Sequence, residues 1–154
     1  MISFSLTIKN LDDYQKWIRE QLVPSLAPRE VLLLKGPMGV GKTQLVRYLV
    51  EELGVLEACS PSFAIHHRYE MPLGSVDHVD LYRLEDEEDL ESTGFWDLFA
   101  QPEGLILIEW AERLHESFLP PNWRIRSITI GFGPEGQESQ RRYLQVTEVR
   151  PQQS

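Results

Sequence analysis

The sequence predicts a three-layer α/β fold with a largely parallel central sheet and added antiparallel strands. Two apolar runs, residues 31–34 and 105–108, are predicted to be strands, and the second has the pattern of a strand that is covered on both faces. The first run leads directly into the octapeptide 36–43, which reads Gly-Pro-Met-Gly-Val-Gly-Lys-Thr. An amphipathic helical pattern follows at once. A strand, a G-x-x-x-x-G-K-[ST] loop and a helix in this order constitute the P-loop, so the predicted fold is that of the P-loop nucleoside triphosphatases.

The segment before the loop is predicted to form one amphipathic helix. Asn10 is a favourable N-cap, and Asp13 stands at the third helical position. Apolar residues follow at helical spacing along one side of this helix: Leu11, Tyr14, Ile18 and Leu22. Pro24 and Pro28 then separate the helix from the predicted strand at residues 31–35.

The helix after the loop is predicted to end at Gly54, because glycine is favoured directly after a helix. Its apolar stripe consists of Leu45, Val46, Leu49, Val50 and Leu53. A chance match to the loop motif is disfavoured, because four fixed positions coincide at about one site in ten thousand or fewer. The correct strand and helix on either side lower that frequency further.

The second half of the chain is predicted to add strands to the sheet. We expect an extended segment at residues 63–69, a turn at 71–75 and an alternating strand at 76–82. An acidic helix at 85–91 and a helical turn at 95–99 are expected to follow. The run 105–108 is expected to be central. Residues 123–132 and 142–149 are expected to form an antiparallel hairpin around the polar loop 133–140.

Length and composition limit the possible functions. The 154 residues are expected to form one domain, residues 1–150, followed by a frayed tail, 151–154. Because 24 acidic residues outnumber 15 basic ones, direct DNA or RNA binding is disfavoured, and any link to RNA is expected to run through a partner. The single cysteine, Cys59, excludes an internal disulfide, and no apolar run approaches about 18 residues. We therefore expect a soluble, cytoplasmic protein without membrane contact.

The loop residues predict a binding site for a nucleoside triphosphate. Backbone N–H groups of such a loop surround the β-phosphate at the positive N-terminal end of the following helix. Close approach and positive φ angles are expected at Gly36, Gly39 and Gly41. Lys42 would reach the β- and γ-phosphates, and the Thr43 hydroxyl would bind Mg²⁺. The candidate nucleotide ligands are thus Gly36, Pro37, Met38, Gly39, Val40, Gly41, Lys42 and Thr43.

Two acidic residues are candidates for contacting the metal and the attacking water. Glu109 closes the apolar run 105–108, at the strand end where open α/β sheets bind ligands. Since a buried unpaired carboxylate is costly, Glu109 is expected to face a metal, a water or a cation. Asp80 follows His78 by two residues, so both would project to one face of a strand. Ordinary ion pairs are the alternative interpretation, with Arg83 as the partner of Asp80.

Four segments resemble one family, the bacterial TsaE proteins, also called YjeE. They are the loop at 36–43, Ser-Pro-Ser-Phe at 60–63, His-Val-Asp-Leu-Tyr-Arg at 78–83 and Ile-Glu-Trp at 108–110. The loop is a general motif, but the other three together are specific and occur in the family's order. The resemblance implies an ATPase required to form N6-threonylcarbamoyladenosine at position 37 of tRNAs that read codons beginning with A. It also implies that the chain acts with TsaD and TsaB, with ATP held near the interface.

The resemblance further implies roles for individual residues. Thr43 and Glu109 resemble the family's Mg²⁺ ligands, and Asp80 resembles its catalytic or metal-associated acid. Ser62 stands where the family usually has a switch-like threonine. Trp110 matches a tryptophan near the nucleotide, and the alternative interpretation is an aromatic residue of the core. The candidate catalytic residues are therefore Lys42, Asp80 and Glu109, and the candidate metal ligands are Thr43, Glu109 and Asp80.

Three functions are compatible with these residues: an ATPase, a small-metabolite kinase and a nucleotide-gated assembly module. A GTPase is disfavoured because the guanine-recognising motif Asn-Lys-x-Asp does not occur. A kinase needs an arginine-bearing lid, and residues 111–122 contain only Arg113. An assembly module would differ from an ATPase only by releasing no phosphate in the presence of its partner. The residue that contacts adenine stays open, with Asp13 and Tyr14 as candidates.

Overall fold

The computed structural model describes residues 3–54, 57–58, 66–71, 74–81, 94–110 and 119–151. The strands are β1 (Ser3–Ile8), β2 (Arg29–Lys35), β3 (Glu57–Ala58), β4 (His66–Met71), β5 (Gly74–Asp80), β6 (Gly104–Glu109), β7 (Arg124–Phe132) and β8 (Arg142–Arg150). The α-helices are α1 (Leu11–Trp17) and α2 (Lys42–Glu52), and shorter helical turns are formed by Ile18–Leu22, Val23–Ser25 and Phe95–Ala100. The predictions for Cys59, Ser62, Arg83, the acidic helix and residues 152–154 lie outside the described residues.

The strands form a mixed eight-stranded sheet in the order β1-β8-β7-β2-β6-β5-β4-β3. Its central strands β7, β2, β6 and β5 run parallel to one another, whereas the outer strands on both sides pair in antiparallel fashion. The predicted α/β fold class, with a largely parallel centre and added antiparallel strands, is confirmed. The predicted central position of the run 105–108 is also confirmed, as is the hairpin of β7 and β8.

Apolar side chains cover both faces of the sheet. On one face, α1 and α2 pack on the central strands in a buried cluster that includes Tyr14 and Leu49. On the other face, the turn Phe95–Ala100 packs with Trp123, whose indole N–H donates to the carbonyl oxygen of Phe99 at 3.1 Å. Because both faces are covered, β2 and β6 can be apolar at every central position.

The predicted start of the first helix and the predicted end of the second are confirmed. The first helix does not continue as one α-helix to Leu22, because α1 ends at Trp17 and a separate helical turn, Ile18–Leu22, follows. The Asn10 side chain caps α1 by accepting a hydrogen bond of 2.8 Å from the backbone N–H of Asp13. Gly54 follows α2 with a φ angle of +75°, which favours glycine. One residue of the predicted apolar stripes was assigned wrongly, because Leu11 is 43% exposed. The first helix meets the core only from Tyr14 onward.

Sequence reasoning misses two strands and shifts two others. β1 pairs with β8 at one edge of the sheet, and its alternating Phe4, Leu6 and Ile8 carry the period-two signal of a strand. β3 has only two residues and offers no such pattern. The predicted turn at 71–75 is too long, because the β4–β5 ladder continues to the pair Met71–Gly74.

The parallel central strands determine where the candidate site lies. In parallel pairs, Leu34 of β2 stands next to Glu109 of β6, and Glu109 next to Asp80 of β5. The loop 36–43 follows β2 directly. The loop and both acidic residues therefore share the carboxyl edge of the sheet, where open α/β sheets bind ligands. None of the helices that the structure describes is long and apolar enough to cross a membrane.

Candidate functional site

The loop between β2 and α2 has an unusual backbone conformation. Gly36, Gly39 and Gly41 have φ angles of +142°, +79° and +123°, so the predicted positive φ angles are confirmed. A Cβ atom on Gly36 would lie 2.4 Å from the carbonyl oxygen of Ile130 on β7, which excludes any other residue in this backbone position. Since α2 begins at Lys42, its unpaired N–H groups lie at the end of this loop.

Two side chains from distant elements bind the carbonyl groups of the loop. The Tyr14 hydroxyl donates to the oxygen of Gly41 at 3.1 Å, and Arg142 Nε donates to the oxygen of Val40 at 2.8 Å. Burial raises the pKa of Tyr14, so its hydroxyl stays protonated and remains a donor. The sequence suggested Tyr14 only as a residue of the apolar stripe or as a candidate contact to adenine. It gave no indication of Arg142, because Arg142 belongs to no recognisable motif. Both side chains hold the loop in its conformation.

Lys42 is almost fully buried at the start of α2. Its Nζ donates to the carbonyl oxygen of Gly36 at 2.6 Å and lies 3.6 Å from the centre of the Trp110 ring, a cation–π contact. Trp110 has a φ angle of +58°, which costs a bulky residue roughly 1–3 kcal/mol. The residue after β6 thus adopts a strained conformation that brings its ring over the loop lysine.

Glu109 is buried at the end of β6 between two hydrogen-bond donors. The Thr43 hydroxyl donates to Oε1 at 3.2 Å, and Nε2 of His78 lies 2.5 Å from Oε2. Burial by itself raises the pKa of Glu109, but the hydrogen bond and charge of His78, together with Thr43 and Lys42, outweigh it. The net result is a pKa below the ordinary glutamate value, so the carboxylate is ionised at neutral pH.

A cavity of about 310 Å³ joins these residues. It is lined by Met38, Gly39, Gly41, Lys42, Thr43, Gln44, Asp80, Glu109 and Trp110. The side chain of Val40 does not line the cavity, because it is buried in the core and only the Val40 backbone contributes to the loop. The structure thus brings Asp80, Glu109 and Trp110 to the loop. Ser62 lies outside the described residues.

These residues fit a nucleotide bound together with Mg²⁺. Thr43 and Glu109 present a hydroxyl and a carboxylate in mutual contact, and Mg²⁺ prefers such oxygen ligands. In the described part of the chain, no group of three or more His, Cys, Asp or Glu residues could form a metal cage. A nucleotide-bound Mg²⁺ needs none, because it uses one or two protein ligands besides phosphates and waters.

The family model described as threonylcarbamoyl adenosine biosynthesis protein TsaE matches residues 8–143. The chain belongs to the TsaE family. The matched range includes all four segments on which the resemblance rests, and the P-loop fold of this TsaE-family chain indicates nucleotide binding.

Individual relatives support this assignment. The tRNA threonylcarbamoyladenosine biosynthesis protein TsaE of Rickettsia conorii is 31% identical to this chain. The alignment covers 84% of this chain and 81% of that protein. The Synechocystis protein of that name is 35% identical over 73% of both chains. The crystal structure of Bacillus subtilis YdiB superposes with a TM-score of 0.70 at 24% identity, covering 96% of this chain and 86% of that one. This superposition supports the fold.

His78 is a site residue of this TsaE-family chain that sequence reasoning did not assign. The sequence placed it on one strand face with Asp80 and at the start of the segment 78–83, but gave it no role. Its contact with Glu109 depends on the parallel pairing of β5 with β6. The spacing of His78 from Asp80 was the available signal, because it places both side chains on one face of β5. The pairing of Asp80 with Glu109 then brings Glu109 to the same face.

Proposed function

We propose that this chain binds and slowly hydrolyses ATP with Mg²⁺, as a component required for N6-threonylcarbamoyladenosine at position 37 of tRNAs reading codons that begin with A. In this proposal it acts in the cytoplasm with TsaD and TsaB and meets tRNA only through that complex. The observation that carries the proposal is the contact of Thr43 with Glu109 at 3.2 Å, beside the glycine-rich loop of a TsaE-family chain. The net charge of −9 argues against direct tRNA binding.

The proposed roles follow from the chemistry of each side chain. The loop N–H groups and the start of α2 would bind the phosphates, and Lys42 would leave Gly36 to balance their charge. Thr43 and Glu109 would hold Mg²⁺, which neutralises charge on the β- and γ-phosphate oxygens when bound. Asp80 lines the cavity beside them and would contact the metal, directly or through water, or orient the attacking water. Ser62 and Trp110 are proposed nucleotide neighbours.

A low intrinsic rate is part of the proposal. Lys42 is the one cationic side chain among the described residues that line the cavity. A second cation that stabilises the transition state is worth roughly 10³- to 10⁵-fold in related nucleotide hydrolases. We therefore expect a partner to supply or order such a group.

Phosphate release by the purified chain tests this function. Steady-state release from Mg-ATP is measured for the chain alone, with TsaD and TsaB, and with both proteins and tRNA. We expect a slow rate for the chain alone and a clear rise on adding TsaD with TsaB. A rate that responds to a small phosphate acceptor and not to these proteins would establish the kinase. A complex that forms with ATP but releases no phosphate would establish the assembly module.

A further inference from the structure

His78 lies directly beside the candidate metal site, although the proposed function assigns it no role. Its side chain is 11% exposed, and its Nε2 is 2.5 Å from Oε2 of Glu109. This contact is shorter than the hydrogen bond that Oε1 of Glu109 accepts from the Thr43 hydroxyl, which is 3.2 Å long. The carboxylate is thus held between one donor from β5 and another from α2.

The sheet register explains how His78 reaches this position. In the parallel pairing of β5 with β6, His78 is the partner of Leu107 and Asp80 is the partner of Glu109. Paired residues of neighbouring strands project to the same face, so His78 and Glu109 share the face that α2 covers. The His78 imidazole contacts Glu109, which lies two residues beyond its own strand partner Leu107. Asp80, the strand partner of Glu109, lines the cavity.

The short contact between His78 and Glu109 needs one hydrogen between its two heavy atoms. A carboxylate oxygen offers only acceptor sites, whereas an imidazole nitrogen can carry a proton. The 2.5 Å contact is therefore a hydrogen bond in which Nε2 of His78 donates to Oε2. A donor fixed on one carboxylate oxygen restricts rotation of the carboxylate beside the Thr43 hydroxyl, which lies 3.2 Å from Oε1 and 3.4 Å from Oε2.

We infer that His78 is a positioning residue, which orients the Glu109 carboxylate for Mg²⁺ through the hydrogen bond from Nε2 to Oε2. This inference rests on the proposed function, because it presupposes that Thr43 and Glu109 bind the metal. Carboxylates that bind metals are commonly hydrogen-bonded by neighbouring side chains, and loss of such a neighbour typically costs about 10- to 100-fold in metal affinity or activity.

Two substitutions separate the hydrogen bond from the bulk of the side chain. His78→Leu removes the donor and keeps an apolar side chain of comparable size, whereas His78→Gln keeps an amide N–H donor. A groove of about 450 Å³, lined by Thr43, Val46, Arg47, Val50, Glu51, Tyr69 and His78, gives both side chains room. Arg47→Gln is the matched control, because it changes an exposed side chain of the same groove on α2.

The measurement is calorimetric binding of a non-hydrolysable ATP analogue, in EDTA and at graded Mg²⁺ concentrations. We expect His78→Leu to bind the analogue as the unmodified chain does in EDTA, and to need about 10- to 100-fold more Mg²⁺ for the half-maximal gain in affinity. His78→Gln should recover most of this loss, and Arg47→Gln should show none. In a chain that already carries Glu109→Gln, His78→Leu should add nothing further.

Other results would overturn the inference. An unchanged Mg²⁺ requirement in His78→Leu would mean that His78 does not position the carboxylate. Equal loss of affinity with and without Mg²⁺ would mean that His78 supports the loop as a whole. Failure of the unmodified chain to bind the analogue under any condition would instead contradict the proposed function, and so distinguishes the two failures.

Discussion

The side-chain ammonium of Lys42 lies over the ring of Trp110, 3.6 Å from its centre. The same ammonium donates to the carbonyl oxygen of Gly36 at 2.6 Å. A bound triphosphate would draw the ammonium toward its oxygens, because charge-assisted contacts to phosphate are stronger than a contact to a neutral carbonyl. Nucleotide binding is therefore expected to change the electrostatic surroundings of the Trp110 indole.

We predict that Mg-ATP changes the tryptophan emission of the chain and that Trp110 causes most of the change. In Trp110→Phe, titration with Mg-ATP should give a much smaller signal, although Trp17, Trp96 and Trp123 remain. Phenylalanine keeps an aromatic face for Lys42, so binding itself should persist in calorimetry. An undiminished emission change in this variant would contradict the prediction.

Lys42→Ala should weaken ATP binding by roughly 10- to 100-fold, since hydrogen bonds to charged groups contribute about 1.5–3 kcal/mol. Thermal unfolding without nucleotide should change less than nucleotide affinity, although the substitution removes the contacts to Gly36 and Trp110 and a positive charge near Glu109. Calorimetry measures the affinity, and Lys16→Ala on the exposed side of α1 controls for the loss of a positive charge. Equal affinities for Lys42→Ala and the control would refute the site.

Glu109→Gln should retain nucleotide binding in EDTA, lose at least about tenfold in Mg²⁺ affinity and hydrolyse ATP more slowly. The substitution keeps the size of the side chain and removes the charge. Asp80→Asn is expected to act similarly on hydrolysis, by about 10²-fold or more if Asp80 orients the water. Phosphate release in the presence of the partners measures both effects. Wild-type rates in both variants would make these acids structural.

Gly36→Ala should destabilise the chain far more than a matched change at another left-handed glycine. An alanine at Gly36 has a positive φ angle, which costs about 1–2 kcal/mol, and its Cβ atom would clash with the carbonyl oxygen of Ile130. Gly136→Ala has only the cost of the positive φ angle, because its φ is +84° and nothing lies within 4 Å of the added Cβ atom. Urea unfolding of both variants checks this, and equal losses would show that the loop can move away from β7.

Glu30→Gln should lower the free energy of unfolding by about 3–5 kcal/mol, because it leaves Arg126 buried without its charge partner. Arg126 Nη2 donates to Glu30 Oε1 at 2.6 Å, and both side chains are buried. Arg19→Ala is the control, since it breaks a pair of 3.8 Å with Glu52 in which the arginine is exposed, and it should cost about 1 kcal/mol or less. Urea unfolding measures both. A loss below 1 kcal/mol in Glu30→Gln would mean that Arg126 finds compensation after the change.

Several features of the fold and the site could be predicted because they depend on neighbouring residues. The Asn10 cap, the glycine-rich loop and the end of α2 at Gly54 each involve a few residues whose preferred backbone angles and hydrogen bonds are local. Lys42 and Thr43 belong to the loop by their sequence positions. The apolar run 105–108 predicted a central strand, because a strand without polar positions must be covered on both faces.

Other features depended on how distant strands pair. The contacting residues Thr43 and Glu109 are 66 positions apart, and Arg142 is 102 positions from its partner Val40. No local sequence pattern could therefore predict either contact. The role inferred for His78 follows from one register, in which Asp80 and not His78 stands opposite Glu109. By itself, the sequence determined the phosphate-binding loop and the helix after it, because backbone preferences act within a few residues. The tertiary structure decided which side chains surround the Glu109 carboxylate, because strand register depends on burying both faces of the whole sheet at once.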